Sequence, residues 1–95
     1  MKSIIDDNKD SCYICKKRAY TELHHIFYGK NRKKSDEDKI TVWLCPNCHR
    51  GTNGVHGKKG HNFDNYLKKI AQKTWQMYYN KSTDEFIKRY GRNYL

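Results

Sequence analysis

Cys12-Tyr13-Ile14-Cys15, Leu23-His24-His25-Ile26 and Leu44-Cys45-Pro46-Asn47-Cys48-His49 decide the reading of this chain. A CxxC turn brings two sulfurs to one side of a tight loop. Two such turns, here separated by 29 residues, complete a closed tetrahedron of thiolates with no place left for water, the donor set of structural zinc. Cys12, Cys15, Cys45 and Cys48 are therefore expected to hold a Zn2+ ion that staples the fold. The histidines interleaved with them are left over, and leftover imidazoles can hold a second divalent ion beside a general base. His24 and His25 are neighbours, so on an extended strand they point to opposite faces and suit two different roles.

The need for a staple follows from size. A chain of 95 residues with 36% hydrophobic residues buries only roughly 60–65% of the surface its unfolded form exposes, so metal or disulfide must add to the core. No apolar run follows Met1-Lys2 and no stretch approaches the roughly 18 apolar residues of a membrane span. The expected location is cytoplasmic, where paired CxxC reads as zinc rather than disulfide. Lys and Arg number 20 against 10 Asp and Glu, a formal charge of +10. Four zinc thiolates would leave about +8 by simple bookkeeping. A chain so basic, with 14% aromatics and no lipid-binding apolar stripe, is drawn to nucleic acid rather than to a membrane.

Along the chain, residues 1–11 are polar and without periodicity, and read as a flexible lead-in. Residues 12–61 read as the zinc-stapled core. Tyr20 to Tyr28 alternates enough to enter a strand carrying His24 and His25, and Ile40-Thr41-Val42-Trp43-Leu44 reads as its β-hairpin partner. Between them Gly29-Lys30-Asn31-Arg32-Lys33-Lys34 reads as a loop too polar to bury. A helix should begin after Cys48-His49, but Gly51, Gly54, Gly57 and Gly60 limit it to a turn or two. Residues 62–95 read as a helical extension packed on the core. Phe63, Tyr66, Leu67, Ile70, Ala71, Thr74, Met77 and Tyr78 recur at helical steps up to about Asn80. Ser82-Thr83-Asp84-Glu85 is a capping box opening a short last helix that ends before Gly91. The expected class is α+β, a small treble-clef-like zinc core with C-terminal helices.

With these residues in view, the chain from 12 to about 57 resembles the HNH (ββα-metal) nuclease family, in which a hairpin and a following helix frame one divalent ion. The resemblance implies His24 as a metal ligand, His25 as the general base and His49 as the ligand at the helix start. For the third ligand, His56 and Asn53 both lie close to His49, and His56 is preferred because imidazole is the better donor. The family's middle asparagine falls at Ile40 here. In the family it braces the hairpin loop, a task for which Asn31 or Asn47 qualify by type. Leu23 to Gly29, Leu44-Cys45-Pro46, Gly54-Val55-His56 and the tail Arg89-Tyr90-Gly91-Arg92-Asn93-Tyr94-Leu95 resemble small phage proteins related to RecA-dependent recombination-enhancement nucleases. That likeness implies a phage recombination setting in a bacterial host and a RecA-type filament as a partner beside DNA.

The implied activity is metal-dependent DNA endonuclease. A phosphodiester resists hydrolysis because its charge repels the nucleophile and its leaving alkoxide is very basic. Mg2+ or Mn2+ at the histidines would answer both, while His25 deprotonates the attacking water. Products carrying 5′-phosphate and 3′-hydroxyl ends are what the resemblance implies. Lys30, Arg32, Lys33, Lys34, Arg50, Lys58 and Lys59 flank the histidines and are expected to grip phosphates, with weak sequence preference because no base-reading helix is visible. Taken singly, a His-His pair reads as an ordinary half-buried strand pair and a His beside CxxC as an alternative zinc ligand. His61 reads as a surface residue or a phosphate contact, with the former preferred. The rival reading is a non-catalytic zinc-finger module binding DNA or a recombination partner.

Overall fold

The hairpin carries the site, and its register decides which histidine faces where. The structure, a computed structural model, describes residues 2–95. Strand β1 (Glu22–His25) pairs antiparallel with β2 (Thr41–Leu44), Glu22 opposite Leu44, Leu23 opposite Trp43, His24 opposite Val42 and His25 opposite Thr41. Directly opposed residues share a face, so His24 goes with the buried Val42 and Leu44 while His25 takes the other side with Thr41. Both strands are shorter than the sequence pattern suggests.

The connection between them differs from the expected polar loop. Gly29, at φ +63°, turns the chain into a 3-10 turn (Gly29–Asn31) that runs into helix α1 (Arg32–Glu37). Helix α1 has no apolar stripe for periodicity to detect; its anchor is Ser35, which is fully buried. The Ser35 hydroxyl accepts from the Phe27 N–H at 3.0 Å and donates to the Ile40 carbonyl at 3.3 Å. Ile40 N–H in turn donates to the Ser35 carbonyl at 2.8 Å. Ser35 thus braces the hairpin ends beside Ile40. Asn31 instead donates to the Tyr90 carbonyl at 3.1 Å, and Asn47 accepts the Gly51 N–H through its own carbonyl at 3.0 Å.

The N-terminal segment is also fastened, against expectation. Ile4 N–H donates to the Lys39 carbonyl at 2.9 Å and Ser3 Oγ to the Thr41 carbonyl at 2.5 Å, with Ile4 and Ile5 resting on the core. Asp6 and Asn8 side chains accept backbone N–H groups two residues on, both at 3.0 Å. Such Asx turns satisfy the backbone locally and leave no hydrophobic period to read.

Helix α2 (Pro46–Arg50) is short, with Pro46 at its first position and Cys45 as its cap. The glycine coil that follows is drawn tight: a Cβ on Gly60 would fall 1.5 Å from the Gly54 carbonyl oxygen, so only glycine allows these backbones to meet. Helix α3 (His61–Tyr78) buries Leu67, Ala71, Gln72 and Trp75, a face turned from the expected stripe; Met77 and Tyr78 are exposed. The turn of that face is set by polar anchors. Trp75 Nε1 donates to Asp38 at 2.8 Å and Gln72 Nε2 to Asn93 at 2.8 Å. Helix α4 (Thr83–Tyr90) has the expected capping box and ends at Gly91 with φ +96°.

The C-terminal motif has a mechanical role. Arg89 grips Asp38 with two nitrogens at 2.6 and 2.9 Å, and the Tyr90 hydroxyl joins at 2.6 Å. Tyr94 N–H donates to Gln72 at 2.7 Å while its ring lies 5.3 Å from Phe27. The tail thereby closes over the residue that follows the His24-His25-Ile26 run.

Candidate metal centres

Two turns built alike bring the four cysteines together. Around Cys12, Cys15 N–H points at the Cys12 sulfur at 3.5 Å, Lys16 takes a left-handed φ of +65°, and Cys12 N–H reaches the Lys17 carbonyl at 3.0 Å. Around Cys45, Cys48 N–H points at the Cys45 sulfur, again at 3.5 Å. Tyr13 N–H donates to the Trp43 carbonyl at 2.9 Å and so ties the first turn to the end of β2. All four sulfurs lie within 4.8 Å of one another, Cys15 and Cys45 at 3.9 Å. A tetrahedron with Zn–S bonds of about 2.3 Å has edges of about 3.8 Å, so this cluster could hold a zinc ion with little adjustment. Burial raises the Cys12 thiol, but the N–H groups of Cys45, Cys15 and Ile14 together outweigh it and bring it down to about 7. Cys48 is pushed up by burial and by the sulfurs beside it. A cation removes that conflict, because it lets all four sulfurs be thiolates at once.

The second cluster takes one residue from each of three segments. His24 comes from β1, His49 from α2 and His56 from the glycine coil, and their ligand nitrogens lie within 4.8 Å of one another. Ring centroids form a nearly equilateral triangle of 5.1, 4.9 and 4.9 Å. His56 is delivered by the coil folding back on α2: Val55 N–H donates to the Cys48 carbonyl at 2.8 Å and His56 N–H to the His49 carbonyl at 3.0 Å. Asn53, the alternative third ligand, is exposed, as is His56; what sets His56 apart is that its ring nitrogen lies with those of His24 and His49.

The chemistry of this donor set fits a cation. His24 is 1% exposed and its Nε2 is buried with no hydrogen-bond partner among the described residues. Burial, then the neighbouring His56 and His49, push it down to about 3, which keeps it neutral with a lone pair to offer. Burial and His49 likewise lower His56. His49 Nδ1 donates to Glu22 at 2.8 Å, leaving its Nε2 free to ligate in the manner of a carboxylate-braced ligand. Glu22 is itself held low by Arg50, then by His49, with Arg50 contacts at 3.0 and 2.6 Å.

His25 lies outside this triangle. Its Nε2 sits 3.0 Å from Asp36 on α1, and it shares a hollow with Gly29, Lys30, Arg32, Lys33 and Asp36. Of the seven basic residues expected to grip phosphate, Lys30, Arg32 and Lys33 line this hollow, while Lys58 and Lys59 are exposed on the glycine coil. Two of the seven also have partners within the protein. Lys34 donates to the Arg89 carbonyl at 2.8 Å and Arg50 holds Glu22. Sequence reasoning passed over Glu22, Asp36 and Ser35, whose partners are remote or unmarked by any motif. It also passed over Asp64 and Lys68, although their i, i+4 spacing on a helix was a usable signal.

No family model, curated protein or solved structure matches the chain. Among the described residues no helix is long and apolar enough to cross a membrane.

Proposed function

We propose that the chain is a metal-dependent endonuclease that hydrolyses DNA phosphodiester bonds with little sequence preference, as its resemblance to HNH nucleases implies. The observation that carries this reading is the convergence of His24, His49 and His56, with a buried unpartnered nitrogen on His24, next to a zinc-type cluster that needs none of them. A divalent ion held there would polarise the phosphate and offset charge on the leaving oxygen. Three neutral imidazoles suit a borderline transition ion better than Mg2+, so of the two expected ions Mn2+ is the better match. In this reading His25 takes the proton of the attacking water at Nδ1, because its Nε2–H is directed to Asp36. Lys30, Arg32 and Lys33 in the same hollow hold the backbone of the strand. Phage recombination, with a RecA-type filament as partner, is the setting that the tail and hairpin motifs suggest.

A second reading is favoured by one observation: His25 is bonded to Asp36 and stands apart from the three-histidine cluster. In that reading the protein is a non-catalytic DNA-binding module and the histidines hold a second structural ion. Supercoiled plasmid incubated with the purified protein and Mn2+ or Mg2+ separates the two. Nicking that disappears in His25→Ala supports the nuclease; DNA retained but uncut at every metal concentration supports the module.

A further inference from the structure

Asp64 and Lys68 of α3, with Tyr28 from the segment after β1, border the histidine cluster. Lys68 Nζ lies 2.9 Å from Asp64 Oδ2, and the Tyr28 hydroxyl donates to the same oxygen at 3.1 Å. The ammonium sits 4.5 Å over the Tyr28 ring, and that ring meets His56 edge-on at 4.8 Å and His24 at 6.0 Å. Lys68 and Asp64 side chains are only 15% and 13% exposed, and Asp64 Oδ1 is buried with no hydrogen-bond partner among the described residues.

The charges around a cation at the histidines would not balance. The imidazoles bring no negative charge, and Glu22 is already committed to His49 and Arg50. Asp64 offsets Lys68 alone. A divalent ion at the histidines would therefore leave an excess of positive charge beside a half-buried ammonium, which is costly unless an anion arrives. The ammonium has three donors, of which Asp64 takes one. An anion that meets both the ion and Lys68 would complete the site, and a phosphate group carries the several oxygens and the charge this requires.

We propose that Lys68, held in place by Asp64 and Tyr28, contacts a non-bridging oxygen of a phosphate group bound at the histidine centre; this rests on reading that centre as a phosphodiester site. Helix α3 is then a wall of the site rather than an appendage.

The test is calorimetric binding of thymidine 5′-monophosphate to the full chain loaded with Mn2+, with metal content and Tm measured on every variant and plasmid cleavage run in parallel. Lys68→Met should weaken monophosphate binding by roughly 10- to 100-fold, the scale of one charge-assisted hydrogen bond, with metal retained; Lys68→Arg should keep most of it. Asp64→Asn combined with Lys68→Met removes the pair together and leaves no buried charge unpaired, so it should lose binding without losing the fold. Parent-like affinity in Lys68→Met or in the double variant overturns the inference, as does loss of metal or fold in both, which would make Lys68 a structural partner only. Monophosphate binding by the parent that is indifferent to Mn2+ overturns it too. If the parent cuts no DNA yet binds monophosphate through Lys68, the nuclease reading falls and this one stands; if parent and Lys68→Met cut equally well, the reverse holds.

Discussion

The two clusters are built back to back, Cys48 and His49 being adjacent on α2, yet they are assembled in opposite ways. The cysteine cluster is two copies of one local device, a turn whose N–H groups point at sulfur, and it needs only the hairpin to bring the copies together. The histidine cluster has no local device. Its members come from a strand, a helix and a coil: His24 is placed by its pairing opposite Val42, His49 by Glu22, and His56 by the backbone bonds of the coil to α2. A closed shell of four charged ligands holds a fold together, whereas three neutral ligands leave coordination room for chemistry. On the proposed reading, ligand number and charge, rather than position in the chain, would separate the staple from the histidine centre.

The hardest test of that division is to break the staple. Removal of zinc by a strong chelator, or Cys48→Ser, should unfold the whole chain, because a site of this kind contributes on the order of 10 kcal/mol of apparent binding free energy, more than so small a core supplies. Loss of the circular dichroism signal together with zinc release would be the expected result. A folded, zinc-free protein would show that the hydrophobic core suffices.

The histidine cluster should fail differently. His49→Ala should weaken divalent-ion binding at that cluster by at least roughly 100-fold, since even outer partners of metal ligands cost 10- to 100-fold, while the four-cysteine zinc stays in place. His25→Ala should instead keep both metals and lower the nicking rate by roughly 10²–10⁴. Metal analysis and single-turnover cleavage on the same preparations distinguish the two, and an unchanged rate in His25→Ala would remove it from the base role.

Smaller effects sharpen the picture. Glu22→Gln should reduce ion affinity at the histidines by about tenfold, because His49 keeps a hydrogen-bond acceptor but loses the charge behind it. Titration with Mn2+ reads this directly. Ser35→Ala strands the buried Phe27 N–H and should lower stability by about 1–3 kcal/mol in denaturant unfolding, with both clusters intact. No loss there would mean that the backbone of α1, and not the Ser35 hydroxyl, holds the hairpin ends.

What could be read without coordinates was whatever is local. The CxxC spacing, the strand residues around His24 and Val42, and the capping box at Ser82 each carry their signal within a few neighbours, and the structure has all of them. The opposite facing of His24 and His25 followed from the pleat alone. Tertiary structure alone decided that Ser35 braces the hairpin, that the N-terminal segment is pinned to Lys39 and Thr41, that Glu22 stands behind His49, and that Asp36 engages His25. It also turned α3 so that Trp75 and Lys68 face inward while Met77 does not. These are polar contacts between residues far apart in the chain, or helices without an apolar stripe. Hydrophobic periodicity reports which residues leave water, and it is silent on which buried polar group will find which partner.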